Sequence, residues 1–378
     1  MLEKLDAVLN GFTEMGIPGW DCIVMQDGKV VYRKMDGFSD YERTLPVSGK
    51  ERYNLYSCSK PITCVAALKL WEEGKYKLSD KLSDYMPEFE NMTVKTAEGV
   101  VAAEKPILIK NLFTMTSGFD YGVGWPIRER MRKETNCECA TRDVMREFAN
   151  VSLPYQPDAQ WQYGLSHDIL AGLVEVISGE RFGEYVRKNI FEPLGMDNST
   201  FLLPDEELDT ISAQYRYNAE TKEYKPIGPE IDVYKYGSLY ESGGAGVVST
   251  VEDYIKFLEA LRVGDVILKK ETIDLMTSNI LTEEQAKTYW RTASHGYGLG
   301  VRTPKEGVSF DFGWGGAAGS FLLVDRTHNV TMFYAQHVLS SPNGEGRDSF
   351  GKIVAEEFSG LALPQTASLS EEVLKKYL

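Results

Sequence analysis

The stretch that decides how this chain is interpreted is SCSKPITCVAALKLW, residues 57–71. Its second half is strongly apolar at helical spacing, which predicts a buried helix from Ser57 to Trp71. Pro61 falls in the first turn, where a missing N–H costs little. Ser57 and Lys60 therefore stand one turn apart on the same face, at the start of that helix.

A serine three residues ahead of a lysine is a candidate nucleophile and base. The lysine amine, once it has lost its proton, can take the proton of the serine hydroxyl. The serine N–H points outward at the helix start, where it can bind a developing oxyanion. An isolated match is, however, more often a helix cap followed by a surface lysine.

The same spacing occurs twice, in Ser57–Lys60 and in Ser349–Lys352. The first pair opens a helix that we expect to be buried at a domain boundary, where clefts form. The second leads into an acidic helix with little chain left to complete a site. The first pair is therefore the candidate.

The elements around this helix predict the fold class. Strands 23–25 and 30–32 flank Asp27-Gly28, a pair typical of a two-residue hairpin turn. Helical signals dominate the middle of the chain, and strand patterns return near its end. The later predicted strands are 297–302, 308–312, 320–324 and 330–334.

This order predicts an α+β protein in which helices flank an antiparallel sheet. Residues 1–76 and 282–378 are expected to form the sheet domain from both chain ends. Residues 77–281 are expected to form an inserted, mostly helical domain, with the active site in the cleft between the two.

Composition excludes several functions. The 378 residues carry 41 basic and 56 acidic side chains, a net charge of −15, which disfavours nucleic acid and anionic membranes as partners. No stretch is apolar enough to span a membrane. The start, MLEKLD, lacks a signal-peptide pattern, so we expect a cytoplasmic protein, although a chain trimmed of its leader would look the same.

The five cysteines and four histidines form neither a disulfide framework nor a metal-binding cluster. We therefore expect no metal and no cofactor. The chain also lacks a phosphate-binding loop and a dinucleotide fingerprint.

Two further features could complete a site. Tyr163 follows a turn-rich loop and precedes a helix, where catalytic side chains are often held, although most of the 21 tyrosines must be core or surface residues. Trp314-Gly315-Gly316-Ala317 lies in a glycine-rich strand. Such glycines allow a substrate to approach the backbone, with the Ala317 N–H as a second oxyanion donor, but they fit a bulged structural strand equally well.

Taken in order, these residues resemble the serine β-lactamase and penicillin-binding superfamily, above all its class C branch and the related family VIII carboxylesterases. The resemblance runs from the hairpin near Ile23 to about His337. Three further stretches also fit: LFTMTSG at 112–118, IFEPLGMD at 190–197 and GGAGVVST at 243–250.

The resemblance implies a role for each candidate. Ser57 would be the acylated nucleophile, Lys60 its proton partner and Tyr163 the general base. The backbone N–H groups of Ser57 and Ala317 would form the oxyanion hole. No metal or cofactor is implied.

Two positions depart from the class C pattern. Leu165 stands where that pattern has an asparagine, and Trp314-Gly315-Gly316 replaces Lys-Thr-Gly. A tryptophan offers apolar area where a lysine would attract a carboxylate, which favours uncharged acyl esters. Trp314, Gly315, Gly316 and Leu165 are therefore predicted to contact substrate, with Trp125 at the rim of the pocket.

The sequence thus predicts a serine hydrolase that cleaves small carboxylic esters through an acyl-enzyme, with weak or absent β-lactam hydrolysis. A class C-like β-lactamase, or a D-amino-acid peptidase or acyltransferase of the same superfamily, is the alternative. A catalytically idle ligand-binding module is a further alternative. The expected partner is a small ester or amide, and the oligomeric state is left open.

Overall fold

The computed structural model describes residues 2–228, 235–361 and 369–378. The α-helices there are α1 (Glu3–Glu14), α2 (Ser59–Glu72), α3 (Ile109–Phe113), α4 (Gly124–Glu134), α5 (Thr141–Phe148), α6 (Ser166–Ser178), α7 (Phe182–Val186), α8 (Glu192–Leu194), α9 (Val251–Val263), α10 (Lys270–Met276), α11 (Glu283–Ala286), α12 (Gly344–Asp348), α13 (Phe350–Phe358) and α14 (Glu371–Leu374).

The strands are β1 (Gly19–Gln26), β2 (Lys29–Gly37), β3 (Tyr53–Asn54), β4 (Thr93–Thr96), β5 (Gly99–Ala102), β6 (Ser152–Leu153), β7 (Tyr215–Asn218), β8 (Glu223–Pro226), β9 (Val248–Ser249), β10 (Gly296–Tyr297), β11 (Arg302–Thr303), β12 (Phe312–Gly315), β13 (Phe321–Asp325), β14 (Val330–Gln336) and β15 (Val338–Leu339).

The main sheet has seven strands in the order β10-β11-β12-β13-β14-β1-β2. Every neighbouring pair is antiparallel. Strand β1 pairs with β14, from Trp20 opposite Gln336 to Gln26 opposite Val330. The predicted α+β class and the joining of both chain ends in one sheet are confirmed, whereas the division into two domains stays a prediction.

The hairpin between β1 and β2 turns where the sequence predicts it. Asp27 has φ 48° and Gly28 has φ 76°, the positive angles that a tight two-residue turn requires. The predicted pairing of 320–324 with 330–334 is also found, as β13 with β14.

The helix carrying the candidate lysine is buried on all sides, from Ser59 to Leu68 and again at Leu70. Its predicted start is wrong by two residues, because Ser57 lies in the 3-10 turn Tyr56–Cys58 that precedes α2. Tyr56 has φ 47°, so the chain makes a sharp left-handed turn immediately before the serine.

The predicted strands 297–302 and 308–312 are wrong in extent. The chain reverses between β10 and β11, where the Gly298 N–H donates to the Val301 carbonyl over 2.9 Å. Gly300 has φ 89°, and any Cβ there would overlap the Cys64 sulfur of α2. The glycines therefore serve a tight turn packed against α2, which divides the first predicted strand into β10 and β11. The second begins only at Phe312, because Val308 and Ser309 still belong to the turn that starts at Lys305.

Within the part of the chain that the structure describes, no helix has the length and apolar character needed to cross a membrane.

Candidate active site

The Lys60 ammonium is the centre of the site. Its side chain is fully buried, and its Nζ donates to Ser57 Oγ at 3.2 Å, to the Tyr121 hydroxyl at 3.1 Å and to the Gly244 carbonyl at 2.8 Å. An ammonium has three donors, and each one here has an acceptor. The lysine is thus held in a fixed position beside the serine hydroxyl.

The turn after β12 lies against the residues that precede Ser57. The Ser320 hydroxyl donates to the Leu55 carbonyl over 3.1 Å, and a Cβ on Gly316 would overlap that same carbonyl. This close approach brings the exposed Ala317 turn to the start of the serine turn. The two backbone segments expected to form an oxyanion hole are therefore neighbours.

Tyr163 is in the site, but its ring rather than its hydroxyl faces the lysine. Lys60 Nζ lies 4.6 Å from the centre of the Tyr163 ring, and the Tyr163 hydroxyl accepts a 3.2 Å hydrogen bond from Trp314 Nε1. The structure thus brings together Ser57, Lys60, Tyr163 and Trp314, which are far apart in the sequence.

Tyr121 is a site residue that the sequence reasoning missed. Its hydroxyl bonds to Lys60, and its ring lies 5.6 Å from the Tyr163 ring. The location argument that singled out Tyr163 applies to it equally, because each tyrosine stands three residues ahead of a helix, α4 and α6 respectively. A search for every tyrosine in such a position would have found both.

Aromatic rings form one wall of the site. The Trp314 ring lies 5.6 Å from that of Tyr163 and 5.4 Å from that of Tyr297. Trp290 is 57% exposed and its ring lies 5.2 Å from that of Tyr163. No sequence signal marked Trp290, which reaches the site only through the fold. We call Tyr163, Trp290 and Trp314 the aromatic wall.

The remaining predicted contact residues lie in two places. Leu165 is buried, Trp125 is largely exposed, and both line a small cavity with Tyr121 and Asp168. Gly315 and Gly316 are half-buried at the end of β12. Leu165 and Trp125 thus line a cavity beside Tyr121, whereas the two glycines follow Trp314 in the chain.

Three titratable side chains near Lys60, those of His167, Cys64 and Cys58, are electrically neutral. Burial, reinforced by the lysine charge, lowers the pKa of His167 to about 3, and His167 Nε2 lies 3.2 Å from the Phe113 carbonyl. Burial raises the pKa of Cys64 well above its usual value. Burial also raises the pKa of Cys58 to about 12, so the thiol next to Ser57 stays protonated and is a poor rival nucleophile.

The second serine–lysine pair has no comparable surroundings. Ser349 occupies the N-cap position of α13 without a side-chain capping bond, and its hydroxyl donates instead to the Gly346 carbonyl of α12 over 2.6 Å. The Lys352 side chain is 81% exposed and lies 3.7 Å from Glu356. This is the helix cap and surface lysine that an isolated match predicts.

A serine and a lysine at the start of a buried helix, beside an antiparallel sheet, define the fold of the serine β-lactamases and penicillin-binding proteins. The profile of the Beta-lactamase family matches residues 5–355. The chain therefore belongs to the Beta-lactamase family and is a serine hydrolase. The resemblance drawn from the sequence is thereby confirmed.

The chain is similar to known esterases over most of its length. It is 27% identical to esterase EstB of Burkholderia gladioli over 364 residues, which cover 88% of this chain and 89% of that protein. It is 28% identical to the lovastatin esterase of Penicillium rubens, covering 82% of this chain and 86% of that protein.

Solved structures share the fold. EstCE1, described as a hydrolase with promiscuous acyltransferase activity, aligns with a TM-score of 0.74 at 23% identity, covering 95% of this chain and 99% of the other. The octameric penicillin-binding protein homologue from Pyrococcus abyssi aligns with a TM-score of 0.72 at 21% identity, covering 94% and 77%.

Proposed function

We propose that this enzyme hydrolyses small, uncharged carboxylic esters through an acyl-enzyme on Ser57. The observation that carries the proposal is the 3.2 Å hydrogen bond from Lys60 Nζ to Ser57 Oγ. This hydrogen bond lies beside the aromatic wall, because Lys60 Nζ is 4.6 Å from the centre of the Tyr163 ring. The lysine is positioned to handle the serine proton, and the wall offers apolar surface for an acyl or alkoxy group.

The reaction has two steps. Ser57 Oγ attacks the ester carbonyl and its proton passes to the Lys60–Tyr163 pair, which reacts in the form that lacks one proton, and the alcohol leaves after taking up that proton. The backbone N–H groups of Ser57 and Ala317 hold the negative oxygen. Water, deprotonated by Tyr163, then attacks the acyl-enzyme, which releases the acid and restores the Ser57 hydroxyl.

Trp314 supports esters over β-lactams as substrates. It is only 5% exposed, and its indole N–H is engaged by the Tyr163 hydroxyl. A substrate carboxylate would meet an apolar ring here rather than an ammonium, and would lose hydration without gaining an ion pair. We therefore propose that β-lactam hydrolysis is weak or absent.

Hydrolysis of a short-chain p-nitrophenyl ester and of a chromogenic cephalosporin by wild type and Ser57→Ala tests the proposal. We expect ester turnover in the wild type, a loss of about a thousandfold or more in the variant, and little cephalosporin turnover in either. Ser349→Ala is the matched control and should retain full activity. Cephalosporin turnover as fast as ester turnover would refute the substrate class.

Acyl transfer to an alcohol is the second candidate. It is favoured by the exposed Trp290 ring beside Tyr163, a surface on which an apolar acceptor alcohol could compete with water. Turnover of the same ester with and without an added alcohol separates the two activities. An ester of the added alcohol as the main product would favour transfer, and free acid alone would favour hydrolysis.

A further inference from the structure

Asp168 is a buried carboxylate next to the candidate site. It lies in the first turn of α6 and is 3% exposed. One carboxylate oxygen, Oδ1, accepts hydrogen bonds from the Tyr240 hydroxyl at 2.7 Å, the Ser242 hydroxyl at 2.6 Å and the Gly244 N–H at 3.3 Å. All three donors are neutral, and no described cation lies at ion-pair distance from it.

Lys60 is in the complementary situation. It is a fully buried cation, and its partners among the described residues are a serine hydroxyl, a tyrosine hydroxyl and the Gly244 carbonyl. A buried charge without an opposite charge nearby is costly. Asp168 and Lys60 are therefore a buried anion and a buried cation close to each other, and neither of them is in a direct ion pair with a described residue.

Gly244 lies between the two charges. Its N–H donates to Asp168 and its carbonyl accepts from Lys60. A Cβ at this position would overlap Asp168 Oδ2 and lie 3.4 Å from Lys60 Nζ. The two charged atoms are thus roughly within 6 Å of each other, a distance at which opposite charges still stabilise one another.

Leu165 supplies no acceptor for this lysine. It stands at the position where the related pattern carries an asparagine, and a leucine side chain cannot accept a hydrogen bond from the lysine. The Gly244 carbonyl accepts one, and Asp168 fixes the turn that presents that carbonyl.

We propose that Asp168 is a positioning residue of the reaction. Its carboxylate holds the turn from Ser242 to Gly244, which directs the Gly244 carbonyl at Lys60, and it supplies the buried negative charge that keeps the lysine beside Ser57. This inference rests on the proposed function, in which Lys60 handles the serine proton.

Asp168→Asn tests the inference, because asparagine keeps the shape and an acceptor oxygen while removing the charge. We expect the variant to fold with a Tm close to that of the wild type. Its kcat for p-nitrophenyl ester hydrolysis should fall tenfold to a hundredfold, with KM changed less than threefold, because in this proposal Asp168 acts on Lys60 and the Gly244 turn and not on the substrate.

The pH profile separates a charge effect from a structural one. Around Lys60 the titratable groups are Tyr121, Tyr163, Cys64 and His167, and Asp168 is the nearby anion. Without that anion the protonated amine is less favoured, so the rise of kcat/KM with pH should move to lower pH. A variant that is merely loosened would lose activity without this shift.

The matched control is Asp253→Asn. Asp253 is also a buried aspartate, and it bonds to the Asn198 N–H and to Lys256, away from the candidate site. We expect this variant to change Tm but neither kcat nor the pH profile. If Asp168→Asn does not fold, Tyr240→Phe removes one donor to the carboxylate instead, and it should lower kcat severalfold at unchanged KM.

The rate at which a fluorophosphonate labels Ser57 keeps this test apart from the proposed function. If the wild type is labelled but hydrolyses no ester, the proposed function fails, and the inference is judged on labelling alone, where Asp168→Asn should be at least tenfold slower. The inference would be overturned if folded Asp168→Asn kept the labelling rate, the kcat and the pH profile of the wild type. An unchanged kcat in Tyr240→Phe would overturn it as well.

Discussion

The Lys60 ammonium lies 4.6 Å from the centre of the Tyr163 ring, on the face of the ring and not at its hydroxyl. The hydroxyl that Lys60 reaches belongs to Tyr121, at 3.1 Å. A cation over an aromatic face is attracted by the quadrupole of the ring, whose face carries partial negative charge. Tyr163 therefore orients the lysine with its ring, while its hydroxyl accepts the hydrogen bond from Trp314.

This arrangement predicts different effects for the two tyrosines. Tyr163→Phe keeps the ring over Lys60 but removes the hydroxyl that we assign as base, so kcat should fall about a hundredfold or more. Tyr121→Phe removes one hydrogen bond to Lys60 and should cost about tenfold. Steady-state kinetics of ester hydrolysis by both variants test this prediction. A larger loss of kcat in Tyr121→Phe than in Tyr163→Phe would show that Tyr121, and not Tyr163, is the base.

Trp290 should act on substrate binding and not on chemistry. It is largely exposed and contacts Tyr163 and Trp161 through edge-on ring packing. Trp290→Ala should raise KM for a p-nitrophenyl ester of an aromatic acid about five- to tenfold, the size of one ring contact, with kcat within about twofold. Val266→Ala, at another exposed apolar residue, is the control and should change neither KM nor kcat. An equal KM in both variants would contradict a role of Trp290 in substrate binding.

Gly244 should tolerate no side chain. A Cβ there would overlap Asp168 Oδ2, so Gly244→Ala should lower the free energy of unfolding by about 1–3 kcal/mol and reduce ester turnover as the turn shifts. Gly11→Ala is the control. A Cβ there meets nothing within 4 Å, and in α1 it should stabilise the protein by about 0.5–1 kcal/mol. Urea unfolding of both variants measures the difference.

Asp311 should make stability depend on acid pH. Burial raises its pKa, but Arg302 and His295 lower it more, so the pKa of this carboxyl lies below its usual value. The stabilisation is therefore present above the unfolded pKa of about 4 and is lost as the pH falls through the lower folded pKa.

Asp311→Asn should be destabilised by about 3 kcal/mol or more near neutral pH, because it leaves Arg302 buried without its carboxylate. The gap to the wild type should narrow below about pH 4, where the wild type loses the same contribution. Thermal unfolding from pH 7 to pH 2 measures both curves, and a gap that stays constant with pH would contradict this account.

The parts of the fold that local chemistry determines could be predicted. The Asp27-Gly28 turn and the β13–β14 pair follow from turn residues and strand pattern. Strand 297–302 was predicted too long, because the contact that ends it, Gly300 against Cys64, joins distant parts of the chain. No local pattern contains that contact. Strand 308–312 was predicted too early, since β12 begins at Phe312.

The site divides in the same way. Ser57 and Lys60 are one helical turn apart, so their spacing alone places them together. Tyr121 and Trp290 reach the site from segments outside the helices and strands, and Asp168 reaches it through the packing of α6 against α2. Asp168 in particular is recognisable only once Gly244 is seen between it and Lys60.

The central claim is that Ser57 is the nucleophile, and covalent labelling tests it most directly. The wild type and Ser57→Ala are treated with a fluorophosphonate, and intact mass and peptide mapping are recorded. We predict one adduct per chain, on Ser57, and none in the variant. An adduct on another residue, or equal labelling of Ser57→Ala, would contradict the account.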